Sequence, residues 1–207
     1  MLQTKDGLKL RGKITIKTYR AGMVAAVSPY LLKIKNYRQL IAEGAPKHLY
    51  DIRIRCFFEA IEAIKEKFYI ATAVECPNLI MDSPNYGLDL IIQRLVGNNT
   101  YSLNILYGEI GTGTTTPALG DTALTTPTNR AAVGFQQDYG STDAIFQFFF
   151  SDSQLANQTY NEFGTFVDGS TTIGSGQLFN HALLSPGYAK VAGQDTTCEV
   201  DISVSNS

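Results

Sequence analysis

Along residues 8–18 apolar and polar positions alternate: Leu8, Leu10, Ile14 and Ile16 fall on one side, Lys9, Arg11, Lys13 and Lys17 on the other. A period of two is that of a half-buried strand, here with a basic outer side. Between Leu49 and Ile70 the period changes. Ile54, Phe57, Ile61, Ile64 and Phe68 recur at steps of three and four, with mostly charged residues between them and no Gly or Pro, which predicts an amphipathic helix. Either a sheet or an intersubunit helix bundle would bury that stripe, so Phe57, Ile61, Ile64 and Phe68 are candidate interface residues. The stretch from Ala21 to Lys47 is mixed. SPY at 28–30 reads as a turn, and NYRQLIAEGAP (36–46) as a short helix ended by Gly44 and Pro46. A further helix is expected after Ser83 as N-cap and Pro84 as first helical residue, with Leu88, Ile91, Ile92 and Leu95 buried and Gly97 closing it.

From Tyr101 onward every segment reads as strand and turn, with candidates at 101–110, 130–139, 144–151, 161–167, 177–184 and 196–206. The last alternates cleanly, Cys198, Val200, Ile202 and Val204 against Glu199, Asp201, Ser203 and Ser205. Short strands separated by Gly, Ser, Asn and Thr clusters favour an antiparallel sandwich or barrel. Helices gathered in the first half make the fold class α+β and β-dominated. The expected architecture is an antiparallel β-sandwich with an N-terminal strand and a helical insertion. Residues 1–75 would supply the basic strand and the insertion, without folding alone, and residues 76–207 the sandwich module.

Charge changes this picture in one respect. Only 17% of the chain is charged, against roughly 25% for an average globular protein, which suggests that part of the surface is covered by something other than water. Residues 1–70 hold 14 Lys and Arg against 6 Asp and Glu, a net of +8; residues 71–207 hold 3 against 13, a net of −10. Copies packed head to side would set these opposite halves together. A nucleic-acid face on Lys9, Arg11, Lys13 and Lys17 is the weaker reading, because no basic run interleaved with stacking aromatics accompanies it. The three cysteines have no C-x-x-C spacing and are expected as buried small hydrophobes. The start, MLQTKDGLKLRG, lacks the apolar region of a secretion signal, and no 18-residue apolar run is present to span a membrane.

The chemistry turns on YGEIGTGTTTPALGDTALTTPTNR, residues 107–130. A phosphate-binding loop of the G-x-x-x-x-G-K-[ST] kind needs a Lys, and no Lys lies between residues 96 and 189. A dinucleotide turn needs a helix after its glycines, whereas Gly111 and Gly113 lead into Thr116, Pro117 and a turn-like ALGD. What remains is a long ordered loop. Its eight threonines between 112 and 128 resist helix and offer hydroxyls to nearby backbone, Asp121 with Thr122 can form an Asx turn, and Leu124 can plug the loop onto the core. Loops of this length are usually functional, and packing on a neighbouring copy is the favoured role. His48 and His181 lie far apart with no metal spacing, and no G-x-S-x-G elbow is present. Asp138, Asp143 and Asp168 lack an EF-hand arrangement. A paired-carboxylate glycosidase would need two acids facing across a cleft. No catalytic residue, cofactor or metal is called for.

The series NLI (78–80), GLDLIIQRL (87–95), YGEIGTGTTTPALGDTAL (107–124), Arg130, NEFGTF (161–166) and Lys190 resembles a family of tailed-bacteriophage virion proteins, over roughly residues 76–205. Two departures stand out: TTPTN precedes Arg130 where the family usually has a Glu, and Thr165 replaces an aliphatic residue before Phe166. The resemblance implies a structural module of tail fibres, baseplates or head decoration without enzymatic activity, located in the virion and assembled in the bacterial host cytoplasm. Its partners would be other copies of itself, as a trimer or hexamer, and other virion proteins. Carried onto this chain, the motif positions are Gly111, Gly113, Asp121, Thr122, Leu124, Arg130, Glu162 and Gly164, with Asp121, Thr122 and Leu124 locking the loop and Glu162 and Gly164 fixing the late strand. Lys9, Arg11 and Lys13 join the helix stripe as candidate contacts. The rival from another class is a carbohydrate-binding tip, which would expose Tyr139 and Tyr160 beside carboxylates.

Overall fold

The computed structural model describes residues 8–206. Strand β1 (Leu8–Arg20) is followed by helices α1 (Met23–Ala42) and α2 (Lys47–Phe68), strand β2 (Tyr69–Ile80), the two-residue strands β3 (Asp82–Ser83) and β4 (Tyr86–Gly87), and helix α3 (Leu88–Leu95). Six further strands follow: β5 (Ile105–Gly111), β6 (Pro127–Tyr139), β7 (Asp143–Phe150), β8 (Thr159–Val167), β9 (Gln177–Ala189) and β10 (Gln194–Asn206).

The expected sandwich is overturned. Eight strands close into an antiparallel barrel in the order β1-β10-β7-β6-β5-β8-β9-β2, while β3 and β4 pair separately. An α+β, β-dominated class describes the chain, but a single closed sheet replaces two stacked ones. Closure comes from the first third. β1 pairs with β10 from Leu8↔Asn206 to Arg20↔Gln194, and on its other side with β2. β2 then meets β9 through Leu79↔His181 and Ile80↔Asn180 alone, so a two-pair ladder shuts the barrel. β2 also runs across the expected boundary at residue 75.

An eight-stranded barrel is just wide enough for side chains to fill it. Its interior is packed by Ile14, Ile16, Phe148, Phe150, Phe163, Cys198 and Val200 among others. Phe148 and Phe163 meet at 5.7 Å between ring centroids. Leu10 is half-buried against this core, and the side chain of Leu8 lies outside the described set.

Helices α1 and α2 form a hairpin inserted between β1 and β2. It packs on the outer face of the barrel over Tyr19, Phe135 and Phe149, burying Met23, Val27, Ile34, Ile54 and Ile61. Helix α1 starts much earlier than the sequence suggested and carries Pro29 inside it, so SPY is helical, not a turn. Its N-terminal amides find a remote cap: Asp195 Oδ2 accepts from Gly22 (3.0 Å) and Val24 (2.8 Å), where an anion also suits the helix dipole. Beneath α2, the buried Lys65 donates to Glu62 (2.8 Å) and Gln147 (3.2 Å), and Gln147 in turn to Glu199 (2.6 Å).

Helix α3 begins at Leu88 with Gly87 before it, not at Pro84, because residues 82–87 are taken by the β3–β4 hairpin. Only Leu90 is buried in it; Leu88 and Ile91 lean on the core, whereas Ile92 and Leu95 are exposed. Cys76 and Cys198 are buried as expected, but Cys56 is exposed on α2. Among the described residues no helix is long and apolar enough to cross a membrane.

Candidate functional site

Residues 112–126 leave β5, cross the outer face of β8 and β9, and return into β6. The neck is closed by Thr112 N–H donating to Thr126 O (3.0 Å), and the far end reaches β3, where Asp82 N–H donates to Leu119 O (2.9 Å). This strap is held by one buried carboxylate. Glu162, with no exposed surface, accepts Gly113 N–H (3.1 Å) and Thr126 N–H (2.6 Å) on Oε1 and Thr125 N–H (2.9 Å) on Oε2. The loop amides of Gly113, Thr125 and Thr126 therefore do bind an anion, and the anion is a side chain of the same protein.

The glycines are required by that approach. A Cβ at Gly111 or at Gly113 would lie 2.5 Å from Glu162 Oε1. Burying an ionised carboxylate costs several kcal/mol. Hydrogen bonds to a charged acceptor contribute about 1.5–3 kcal/mol each, so three amides and a histidine offset that cost. The fourth partner is His181, whose Nε2 lies 3.2 Å from Glu162 Oε2 while its Nδ1 lies 2.8 Å from Asp121 Oδ2.

Burial alone would raise the Glu162 carboxyl. The His181 contact and the three amides outweigh it and hold the group below the usual range. Burial alone would lower His181. Its hydrogen bonds to Glu162 and Asp121, with their charges, outweigh that and raise it. The cluster is thus a histidine held between two acidic side chains, Glu162 buried under the loop and Asp121 part-exposed upon it.

Asp121 does not form the expected Asx turn with Thr122. Its carboxylate reaches back to Ala118 N–H (2.9 Å), and Thr122 is exposed. Of the eight loop threonines, only Thr128 makes a side-chain hydrogen bond among the described residues, to Ile110 O (3.0 Å). The strap uses threonine backbone, not hydroxyls. Leu124 does plug the loop, packing with Met81, Phe166 and Leu178. Gly164 makes the room, since a Cβ there would stand 3.0 Å from Leu124 Cδ2 and 2.8 Å from Asn180 O.

A second latch lies beside the first. Arg130 pairs with Glu109, its direct cross-strand partner on β5, with both side chains essentially buried. The guanidinium sits between the rings of Tyr107 (4.4 Å) and Phe166 (4.8 Å) and donates to Ser175 O (2.6 Å), while Gly174 N–H donates to Glu109 (2.6 Å). The acid absent from TTPTN is supplied by the neighbouring strand. Lys190 is likewise buried and donates to Asp152 (2.5 Å).

The candidate contact residues divide. Phe57, Ile61, Ile64 and Phe68 turn inward onto α1 and the barrel, so the stripe closes within the chain. Lys13 meets Glu75 (3.3 Å) and Lys17 meets Glu199 (2.8 Å), so the neighbours of β1 quench much of its charge; Lys9 and Arg11 stay exposed. The opposite-sign halves thus meet partly inside one copy. Tyr160 is fully buried while Tyr139 is half exposed, so the two cannot share a sugar platform. Asp168 accepts from Ser102, and Asp138 and Asp143 flank the β6–β7 turn.

Sequence reasoning passed over His181, Glu109 and the amides of Thr125 and Thr126. Glu162 is 49 residues from Gly113, and no local spacing announces such a pair. A cleft of about 790 Å³ opens between the helical hairpin and the barrel mouth, lined by Ile54, Phe58, Ile91 and Phe146 with Arg38 and Arg55 on its edge. Comparison with protein-family models, curated proteins and solved structures finds no match to this chain.

Proposed function

We propose that this chain is a structural subunit of a bacteriophage virion, belonging to the tail or baseplate, which assembles with copies of itself and with other virion proteins. The resemblance in the sequence supports this reading, and one structural observation carries it: the motif residues other than the exposed Thr122 are used to fasten the barrel. Gly111, Gly113, Asp121, Leu124, Glu162 and Gly164 all serve the strap, and Arg130 serves the second latch. The carboxylate of Glu162 and the ring of His181 are buried beneath the loop, and Asp121, part-exposed on the loop, closes over them. Side chains committed to one another in this way brace the loop, and a rigid, strapped barrel suits a part that must keep its shape under load.

The test is to probe purified phage particles with an antibody raised against this chain, and to locate the label by electron microscopy. Label at the tail or its base at a fixed number of copies per particle is the expected result. Label on the shell would move the subunit to head decoration. Chain found only in the unassembled fraction would overturn the reading.

A further inference from the structure

The tip half of the helical hairpin, residues 32–55, carries a surface that nothing among the described residues covers. Leu32 (59% exposed), Leu49 (56%) and Ile52 (69%) stand outward beside the exposed Lys33, Lys35, Arg53 and Arg55. The two acids of this segment are engaged locally, Glu43 by Gln39 (2.8 Å) and Asp51 by Lys47 (2.8 Å). The patch is apolar and basic together. Across the barrel lies its complement. In the sequence from 95 to 189 the one Lys or Arg is Arg130, and it is buried against Glu109. The strap face presents the exposed Asp82 and the part-exposed Asp121, which also meets His181, next to the half-exposed Leu119, while the exposed Arg94 of α3 is turned to Asn99 and Ser102 O.

We propose that the hairpin tip of one copy docks on the strap face of a second copy, head to side; the inference rests on the reading of the chain as an assembly subunit. Charge complementarity selects the occupant, since the apolar, basic patch on one side of the molecule is matched by an apolar, acidic patch on the other. The hairpin covers the β1, β10, β7 and β6 side and the strap covers β8 and β9, so the two patches face away from each other. One pair of molecules cannot satisfy both patches. Each copy must use its tip on one neighbour and its strap on another, a heterologous contact that gives a ring where the rotation between neighbours closes and a filament where it does not. The cleft beside the tip gives the incoming Leu119 a recess.

The experiment is sedimentation velocity on the purified full chain over rising concentration and at low and high salt. A ring of three or six copies, weakened by salt, is expected. Leu49→Glu with Ile52→Glu should leave a folded monomer by circular dichroism, and Arg53→Glu with Arg55→Glu should raise the concentration needed for assembly by roughly tenfold or more. Adding Asp82→Lys to the latter should restore assembly, which a merely misfolded hairpin would not allow. A monomer at every soluble concentration, a two-fold dimer, or a ring indifferent to these substitutions would each overturn the inference. So would binding to acidic lipid vesicles without self-association. A monomeric chain that still labels the particle would sink this contact and leave the virion reading standing; a ring-former missing from particles would do the reverse.

Discussion

Glu162 and Gly113, 49 residues apart, meet through a carboxylate-to-amide hydrogen bond of 3.1 Å at a point where a methyl group on the glycine could not fit. The chain supplies the anion for its own glycine loop. The energetic weight of the strap therefore rests on one side chain.

Glu162→Gln keeps the shape and removes the charge. It should destabilise the barrel by about 2–4 kcal/mol, since three amides lose a charged acceptor and His181 loses a partner. Urea unfolding measures the loss, and limited proteolysis should cut within 112–126 faster than in the parent. Equal stability and equal cutting would mean that the strap is held elsewhere.

Gly113→Ala tests the close approach. The added Cβ would stand 2.5 Å from Glu162 Oε1 and 2.8 Å from Thr125 Cβ. A loss of about 1–3 kcal/mol is expected from the forced displacement. Gly120→Ala, where a Cβ meets nothing within 4 Å, is the control and should unfold like the parent.

The strap should weaken at both ends of the pH scale. His181 is raised by Glu162 and Asp121 against the opposing effect of burial, so its contribution is fully present below the unfolded-state value of about 6.5 and is lost as pH climbs through its folded value. Glu162 is lowered, so its contribution is present above the ordinary Glu range and is lost as pH falls through its folded value. Thermal unfolding followed from pH 4 to 9 (a window of about five units) should show the alkaline decline in the parent and a flatter line in His181→Gln. An unchanged alkaline limb in that variant would count against the imidazolium.

Thr165 is buried with a hydroxyl that has no hydrogen-bond partner among the described residues. Thr165→Val should raise stability by about 1 kcal/mol, because it removes an unpaired polar group and keeps the side-chain shape. A loss of similar size would show that the hydroxyl does find a partner.

Much of the fold was legible wherever one period ran without interruption. β1 and β10 alternate because each buries one face in the barrel, and α2 keeps its three-four spacing because one side lies on α1 and Phe135. α1 was hidden by Pro29, which sits within its second turn and costs one backbone bond, to the carbonyl of Ala25, in a helix otherwise held by its packing on the barrel. β2 follows α2 with no Gly or loop between them, and Pro77 interrupts its pattern. Without β2 the sheet has no closing strand, and alternation looks the same in a sandwich as in a barrel. The loop glycines and Leu124 were readable as a strap. Their anchor was not, because a Glu held by backbone amides leaves no spacing signal at the loop.

The full-length register between β1 and β10 also governs when the molecule can form. β1 has no companion on that side until residues 194–206 have been made, so it must wait, half-paired with β2, while the strands between are synthesised. Folding is accordingly governed by a contact of very large sequence separation, which predicts slow maturation. Any lesion that delays the late strand also deprives β7 of a neighbour, and so opens the cylinder on two sides at once.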